Sequence, residues 1–175
     1  REAVKLGVAE KVDMLLAVGG GSVSDATKCI AAGIATPELD PWDIVVSYAA
    51  KKQIPFAAVM TMPATGSEMN NGAVISNRTL GQKLAFRGAY PVFSILDPET
   101  TYSIPAYHIA CGLADIVVHC FEQYMTTTGQ SRVLDRWAEG VIATVMEIAP
   151  QIRENKTDYA LMSDYMYAAT MGLNN

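Results

Sequence analysis

Met14-Leu15-Leu16-Ala17-Val18-Gly19-Gly20-Gly21-Ser22-Val23-Ser24-Asp25-Ala26-Thr27-Lys28-Cys29-Ile30-Ala31-Ala32 reads as strand, glycine turn and helix in direct succession. The apolar run Met14–Val18 shows no polar alternation, which predicts a strand covered on both faces of a parallel sheet. From Val23 to Ala32 the pattern is helical, with Ser22 at the N-cap position. A glycine turn between a strand's C-terminal end and a helix presents backbone N–H groups to a phosphate, and the missing side chains allow close approach. The pattern is neither GxGxxG nor a P-loop, because no Gly-Lys-Ser/Thr follows. A tight structural turn would also use glycine. Three consecutive glycines at a strand's C-terminal end put phosphate binding at least level with that reading, since ligands of open α/β sheets gather at that edge.

Working outward, residues 3–11 read as the end of a preceding helix. Pro37–Trp42 reads as a polar loop. Ile54–Met60 is a second buried strand, running into the hydroxyl-rich loop Thr61-Met62-Pro63-Ala64-Thr65-Gly66-Ser67-Glu68. Hydroxyls there suit phosphate or ribose, and equally a helix cap at Thr65 or Ser67. Ala73–Ser76 and Lys83–Phe86 flank a polar, glycine-containing turn and predict a hairpin. Lys83, a lone lysine entering an apolar strand, reads on its own as a solvated edge residue. Pro91–Leu96 is a further strand, stopped by Asp97-Pro98. After Pro105, favourable in a first helical turn, only helices follow: about 106–126, about 131–149 ended by Pro150, and about 158–173. Strand–helix alternation followed by helices alone predicts two domains, residues 1–100 and 101–175, joined at Asp97–Pro105.

Within the first of those helices, Asp115 and His119 are four residues apart in the apolar run Cys111–Glu122 and share a helix face. A carboxylate in such a segment needs a partner. A divalent metal is one, since Asp oxygen and His nitrogen suit Zn²⁺ or Fe²⁺. Spacing alone favours a core Asp–His hydrogen bond or a pair on the helix surface, because two polar residues four apart are common on helices. Cys111, four residues before Asp115, would extend the set to a Cys–Asp–His zinc site; Gly112 between them is expected to bend the helix and weaken that arrangement. His108 is expected to be structural.

With 175 residues, half of them hydrophobic and 18% charged, the chain can bury a sizeable core. Its formal charge of −5 gives no basic footprint for nucleic acid. The three cysteines have neither disulfide-framework nor CxxC spacing, which fits a reduced, cytosolic (cytoplasmic) protein. No stretch reads as a signal peptide or reaches membrane-spanning length, so no membrane partner is expected. Arg1-Glu2-Ala3-Val4 opens in mid-helix pattern and Met171–Asn175 stops just after an apolar segment, as expected of an internal part of a longer polypeptide.

Four ordered motifs, Gly19-Gly20-Gly21-Ser22-x-x-Asp25-x-x-Lys28, Thr61-x-x-x-Thr65-Gly66-Ser67-Glu68, Leu96-Asp97-Pro98 and Gly112-x-x-Asp115-x-x-x-His119, resemble the iron-containing (group III) alcohol dehydrogenase family. Ala64–Glu68 with Gly72–Ser76, and Val118-His119 through Glu122-Gln123-Tyr124, are most similar to its NADPH-dependent aldehyde reductase and butanol dehydrogenase branch. The resemblance covers essentially the whole chain. It implies an α/β dinucleotide-binding (Rossmann-like) domain followed by the start of an all-helical metal-binding domain, with the site in a cleft between them. Asp115 and His119 match two of the family's four metal ligands, an Asp and three His; the other two are expected beyond residue 175. Gly20, Gly21 and Ser22 would face the cofactor pyrophosphate and Asp25 the nicotinamide end. Thr61 and Thr65 would contact the cofactor, and Lys83 would reach its ribose and phosphates. The implied reaction is hydride transfer between an aldehyde or primary alcohol and NAD(P)H, NADP(H) ahead of NAD(H), with Fe²⁺ or Zn²⁺ as Lewis acid. A homodimer is left open. The rival from another class is a non-catalytic remnant that binds nucleotide weakly.

Overall fold

A computed structural model describes residues 1–48, 50–126 and 131–174. The chain divides into two compact units, Arg1–Val59 with Ser67–Ile95, and Met60–Gly66 with Leu96–Asn175.

In the first unit, helix α1 (Glu2–Ala9) precedes strand β1 (Leu15–Gly20), helix α2 (Gly21–Ala35) and the short helix α3 (Pro41–Val46). Strand β2 (Phe56–Met62) lies between β1 and β5 (Ser94–Ile95). β2 and β5 are parallel, with Ala58 opposite Ser94 and Val59 opposite Ile95. This is the α/β layer of a Rossmann-like fold. β2 is covered on both faces through Phe56, Ala57 and Ala58, as its unbroken apolar run implies.

β1 departs from the expected double cover: Ala17 is 2% exposed, but Leu16 and Val18 are 58% and 56% exposed. Among the described residues α2 packs on β1, and the side carrying Leu16 and Val18 is uncovered. Strands β3 (Gly72–Asn77) and β4 (Gln82–Arg87) form the expected antiparallel hairpin, as a separate two-stranded sheet. Its turn is closed by Leu80 N–H donating to Asn77 Oδ1, with Gly81 at a φ of +63°. One face packs Ala73 and Phe86 with Val45 of α3, flanked by Trp42, Ile75 and Leu84.

Several boundaries differ from expectation for local reasons. Pro41 opens α3 rather than prolonging a loop: the Asp40 carboxylate accepts from Trp42 N–H, and proline is tolerated in a first turn. β2 begins and ends two residues later than read, so Thr61 and Met62 finish a strand. The 61–68 segment then closes in a 3-10 turn, Ser67–Met69. β5 keeps only two paired residues of Pro91–Leu96.

In the second unit, α4 (Ala106–Thr126), α5 (Arg132–Glu154) and α6 (Tyr159–Leu173) pack together. Ile109, Leu113, Ile116, Val145, Ile148, Ile152, Met162, Tyr165 and Ala169 form the core. Full burial of a side chain such as Ile116 stabilises by roughly 1.5–3 kcal/mol. Ser131 and Asp158 cap α5 and α6 by accepting from Leu134 N–H and Leu161 N–H. Pro150 does not end α5, which continues to Glu154. It stands on the exposed side between Ile148 and Ile152, four apart and both buried, and their packing carries the helix past the missing N–H.

Candidate cofactor and metal site

The glycine turn forms at the expected place: β1 ends at Gly20 and α2 begins at Gly21. The cap differs. Gly20, with extended backbone (φ −88°, ψ −169°), occupies the N-cap position without a side-chain bond, and Ser22 lies inside the first turn. A helix start has N–H groups without intrahelical partners, and glycine at the cap leaves that end unobstructed by a side chain. Gly19 has no room for one: a Cβ there would lie 2.5 Å from Val23 Cγ2.

The buried stripe of α2 is polar at its N-terminal half: Ser24, Thr27 and Lys28 precede Ala31 and Ala32. Lys28 is completely buried. Its ammonium donates to Ser67 O (2.7 Å), Ser67 Oγ (2.8 Å), Gly72 O (2.7 Å) and Asn70 Oδ1 (3.2 Å). Ser67 Oγ in turn donates to Asp25 Oδ1 at 2.6 Å, while Asp25 Oδ2 accepts from Val74 N–H at 2.9 Å. Burial lowers the Lys28 pKa from 10.5 to about 8, and the charges of Asp25 and Glu68 oppose that fall. Asp25 is thus held by the Ser67 turn and the hairpin. Lys83 stands exposed on β4 opposite Ser76.

In the second unit, Thr65 and the end of β2 at Thr61 are half-buried. The segment between them is fixed by α6: Tyr165 Oη donates to Pro63 O at 2.5 Å, and Asn174 Nδ2 donates to Gly66 O at 2.8 Å. Gly66 has a φ of +60°, and a Cβ there would lie 2.6 Å from Asn174 Nδ2 and 3.0 Å from Thr170 O, so glycine is required twice over.

α4 runs without a break through Gly112, so the glycine does not serve to end the helix. Gly112 instead admits a neighbour, since a Cβ would lie 2.1 Å from Tyr165 Oη and 2.8 Å from Pro63 O. Burial, with the nearby Asp115 and Cys111, raises the Tyr165 phenol well above its ordinary range. One turn on, His119 Nε2 lies 3.4 Å from Asp115 Oδ2. Both ring nitrogens of His119 are shielded from solvent and have no hydrogen-bond partner among the described residues. The core hydrogen bond that the spacing also allowed is therefore not formed. Gln123 Nε2 donates to His119 O, Gly172 O and, at the longest range, Leu173 O, tying this turn of α4 to the end of α6.

The pair passes a simple test for a metal. Two ligand atoms each about 2.1 Å from a tetrahedral ion stand about 3.4 Å apart, and a shielded imidazole without a hydrogen-bond partner is otherwise costly. Among the described residues, no group of three or more His, Cys, Asp or Glu gathers within reach of one ion, so Cys111, which is exposed, does not complete the set. His108 is exposed and packs edge-on against Tyr107.

The reading of residues missed the linking parts of these clusters. Lys28 and Ser67 stand inside the family motifs, and the available signal was a lysine three and four residues before the apolar pair Ala31-Ala32, on the same helix face. Tyr165 gave no local signal at all.

Comparison with known proteins places these features in context. A family model described as iron-containing alcohol dehydrogenase matches residues 1–98, and one for the C-terminal part of the same family matches residues 109–175. The chain is 47% identical to the NADPH-dependent aldehyde reductase YqhD of Escherichia coli K12, over 98% of this chain and 46% of that protein. It is 42% identical to the probable NADH-dependent butanol dehydrogenase 1 of Bacillus subtilis, over 94% and 43%. Among solved structures, E. coli YqhD superposes with a TM-score of 0.95 at 47% identity, over 99% of this chain and 46% of that one. The NADH-dependent butanol dehydrogenase A of Thermotoga maritima gives 0.92 at 36% identity, over 99% and 44%. The chain spans about half the length of the curated relatives it matches.

Proposed function

The chain belongs to the iron-containing alcohol dehydrogenase family, and on that footing we propose that the full-length protein transfers a hydride reversibly between NAD(P)H and a small-molecule aldehyde, yielding the primary alcohol. The observation that carries this reading is the Asp115–His119 pair, two donor atoms 3.4 Å apart on one face of α4, the imidazole shielded and without a hydrogen-bond partner among the described residues. A divalent ion, Fe²⁺ or Zn²⁺, supplies a Lewis acid that stabilises charge developing on the carbonyl oxygen, while the nicotinamide carries the electrons.

The chain's own residues bind and orient. Asp115 and His119 contribute two ligands, the rest coming from sequence outside this span. Gln123 fixes the backbone that carries His119. The N–H groups at Gly20, Gly21 and Ser22 receive the cofactor pyrophosphate. Asp25, Thr61, Thr65 and Lys83 contact the remainder of the cofactor. In this reading residues 1–100 belong to the dinucleotide-binding domain and 101–175 begin the helical metal-binding domain. NADP(H) is favoured over NAD(H), on the NADPH-dependent name of the 47% relative; the butanol dehydrogenases argue for NADH. No described helix is long and apolar enough to cross a membrane; the reading adds a cytoplasmic enzyme, assembled as a homodimer.

The test is NADPH oxidation by the full-length protein with butanal, before and after removal of metal by a chelator. Turnover that disappears with the metal and returns on adding Fe²⁺ or Zn²⁺ is expected. Undiminished turnover in protein shown to be metal-free would contradict it.

A further inference from the structure

The fully buried ammonium of Lys28 belongs to no metal pair and is not among the residues proposed to touch the cofactor. Its three protons meet four acceptors from three consecutive pieces of chain: Ser67 in the 3-10 turn, Asn70 after it, and Gly72 at the start of β3. Two of these acceptors lead further. Ser67 Oγ accepts from Nζ and passes its own proton to Asp25 Oδ1, and Asn70 Oδ1 also accepts from Gly72 N–H. The second oxygen of Asp25 is taken by Val74 N–H. Lys28 and Asp25 lie three apart on α2, so one helical turn reaches the Ser67 turn and the hairpin by two routes that meet at Ser67.

The acceptors explain why a lysine tolerates this place. An unpaired buried ammonium would be prohibitive, whereas one surrounded by carbonyl and hydroxyl oxygens, with the carboxylates of Asp25 and Glu68 nearby, is compensated. An apolar residue of similar length would fill the volume and leave Ser67 O and Gly72 O without their donor. The loop would then lose the shape that holds Asp25.

We propose that Lys28 is a positioning residue for dinucleotide binding: through Ser67 it orients the Asp25 carboxylate and sets the Ser67–Gly72 loop, without touching substrate or metal. The inference rests on the functional reading above.

It is tested in the full-length enzyme with Lys28→Met and, because that variant removes several bonds at once, with Ser67→Ala, which removes the Oγ that joins Lys28 to Asp25 and leaves Ser67 O, Asn70 Oδ1 and Gly72 O to the ammonium. NADPH affinity is measured by fluorescence titration, metal content by mass spectrometry, and kcat at saturating NADPH. Lys28→Met should raise the Kd for NADPH tenfold or more and Ser67→Ala severalfold, with metal content unchanged and kcat within about threefold of wild type. A purely structural role would lower folded yield, metal and kcat together and leave no such split. Wild-type NADPH affinity in folded Lys28→Met, or in Ser67→Ala should Lys28→Met not fold, would overturn the inference. A wild-type protein that binds neither NADPH nor NADH would overturn the functional reading, and this inference with it.

Discussion

Adding a single methyl group at Gly112 should unseat a contact that spans much of the second unit. The Cβ of Gly112→Ala would lie 2.1 Å from Tyr165 Oη, 3.2 Å from its Cζ and 2.8 Å from Pro63 O. The carbonyl belongs to backbone and yields little, so Tyr165 must move. Tyr165 is completely buried, and its hydroxyl donates to that same carbonyl. Overpacking costs about 1–3 kcal/mol, and a buried hydroxyl and carbonyl left unpaired cost about 1–3 kcal/mol more. The better helix propensity of alanine returns about 1 kcal/mol. The net loss is on the order of 3 kcal/mol, which corresponds to a fall in Tm of about 5 °C or more. Thermal unfolding of wild type, Gly112→Ala, Tyr165→Phe and the double variant measures it. Coupling between the two sites should be clear, because Phe removes the atom nearest the new methyl. A Gly112→Ala protein as stable as wild type would refute the packing argument and leave the glycine of this motif unexplained.

Gly20→Val should raise the Michaelis constant for the cofactor, because a side chain at the cap of α2 would obstruct the approach of a phosphate; an unchanged constant in a folded variant would count against that role. Lys28 gives a pH dependence of definite sign. Its pKa is lowered from 10.5 to about 8 on folding, so between these values the unfolded chain binds more protons and stability rises with pH. The full penalty is present below about pH 8 and relieved by about pH 10.5, an upper figure of about 3 kcal/mol. Denaturant unfolding across that range should show the rise in wild type and a flatter profile in Lys28→Met; parallel profiles would place the ammonium in water.

The elements legible in the sequence were those decided locally. The apolar run into three glycines placed β1 and the start of α2 within two residues, and the polar turn before Gln82 placed the hairpin. Pro105 and the apolar period placed α4 at its observed bounds, residues 106–126. The misreadings came where tertiary packing overrules a local rule. Pro150 stays inside a helix because Ile148 and Ile152 are both buried. Pro41 starts a helix because Asp40 caps it. The exposed side of β1 could not be foreseen, because an apolar run does not say what covers it. Of the candidate site, the Asp115–His119 spacing was readable from helical geometry alone. Lys28 was not, because an ammonium at that position has meaning only once Ser67 and Gly72, 39 and 44 residues away, are folded around it. Tyr165 meets Pro63 across 102 residues, a contact no local pattern announces.

The metal content of the full-length protein and of its His119→Ala and Asp115→Ala variants, measured by mass spectrometry beside an NADPH titration of the same samples, tests the central claim most directly. Wild type should carry a stoichiometric divalent metal. Both variants should lose it together with aldehyde reduction, yet still bind NADPH. A His119→Ala protein that kept a stoichiometric metal and full turnover would show that the 3.4 Å pair is no more than a contact between neighbouring turns of α4.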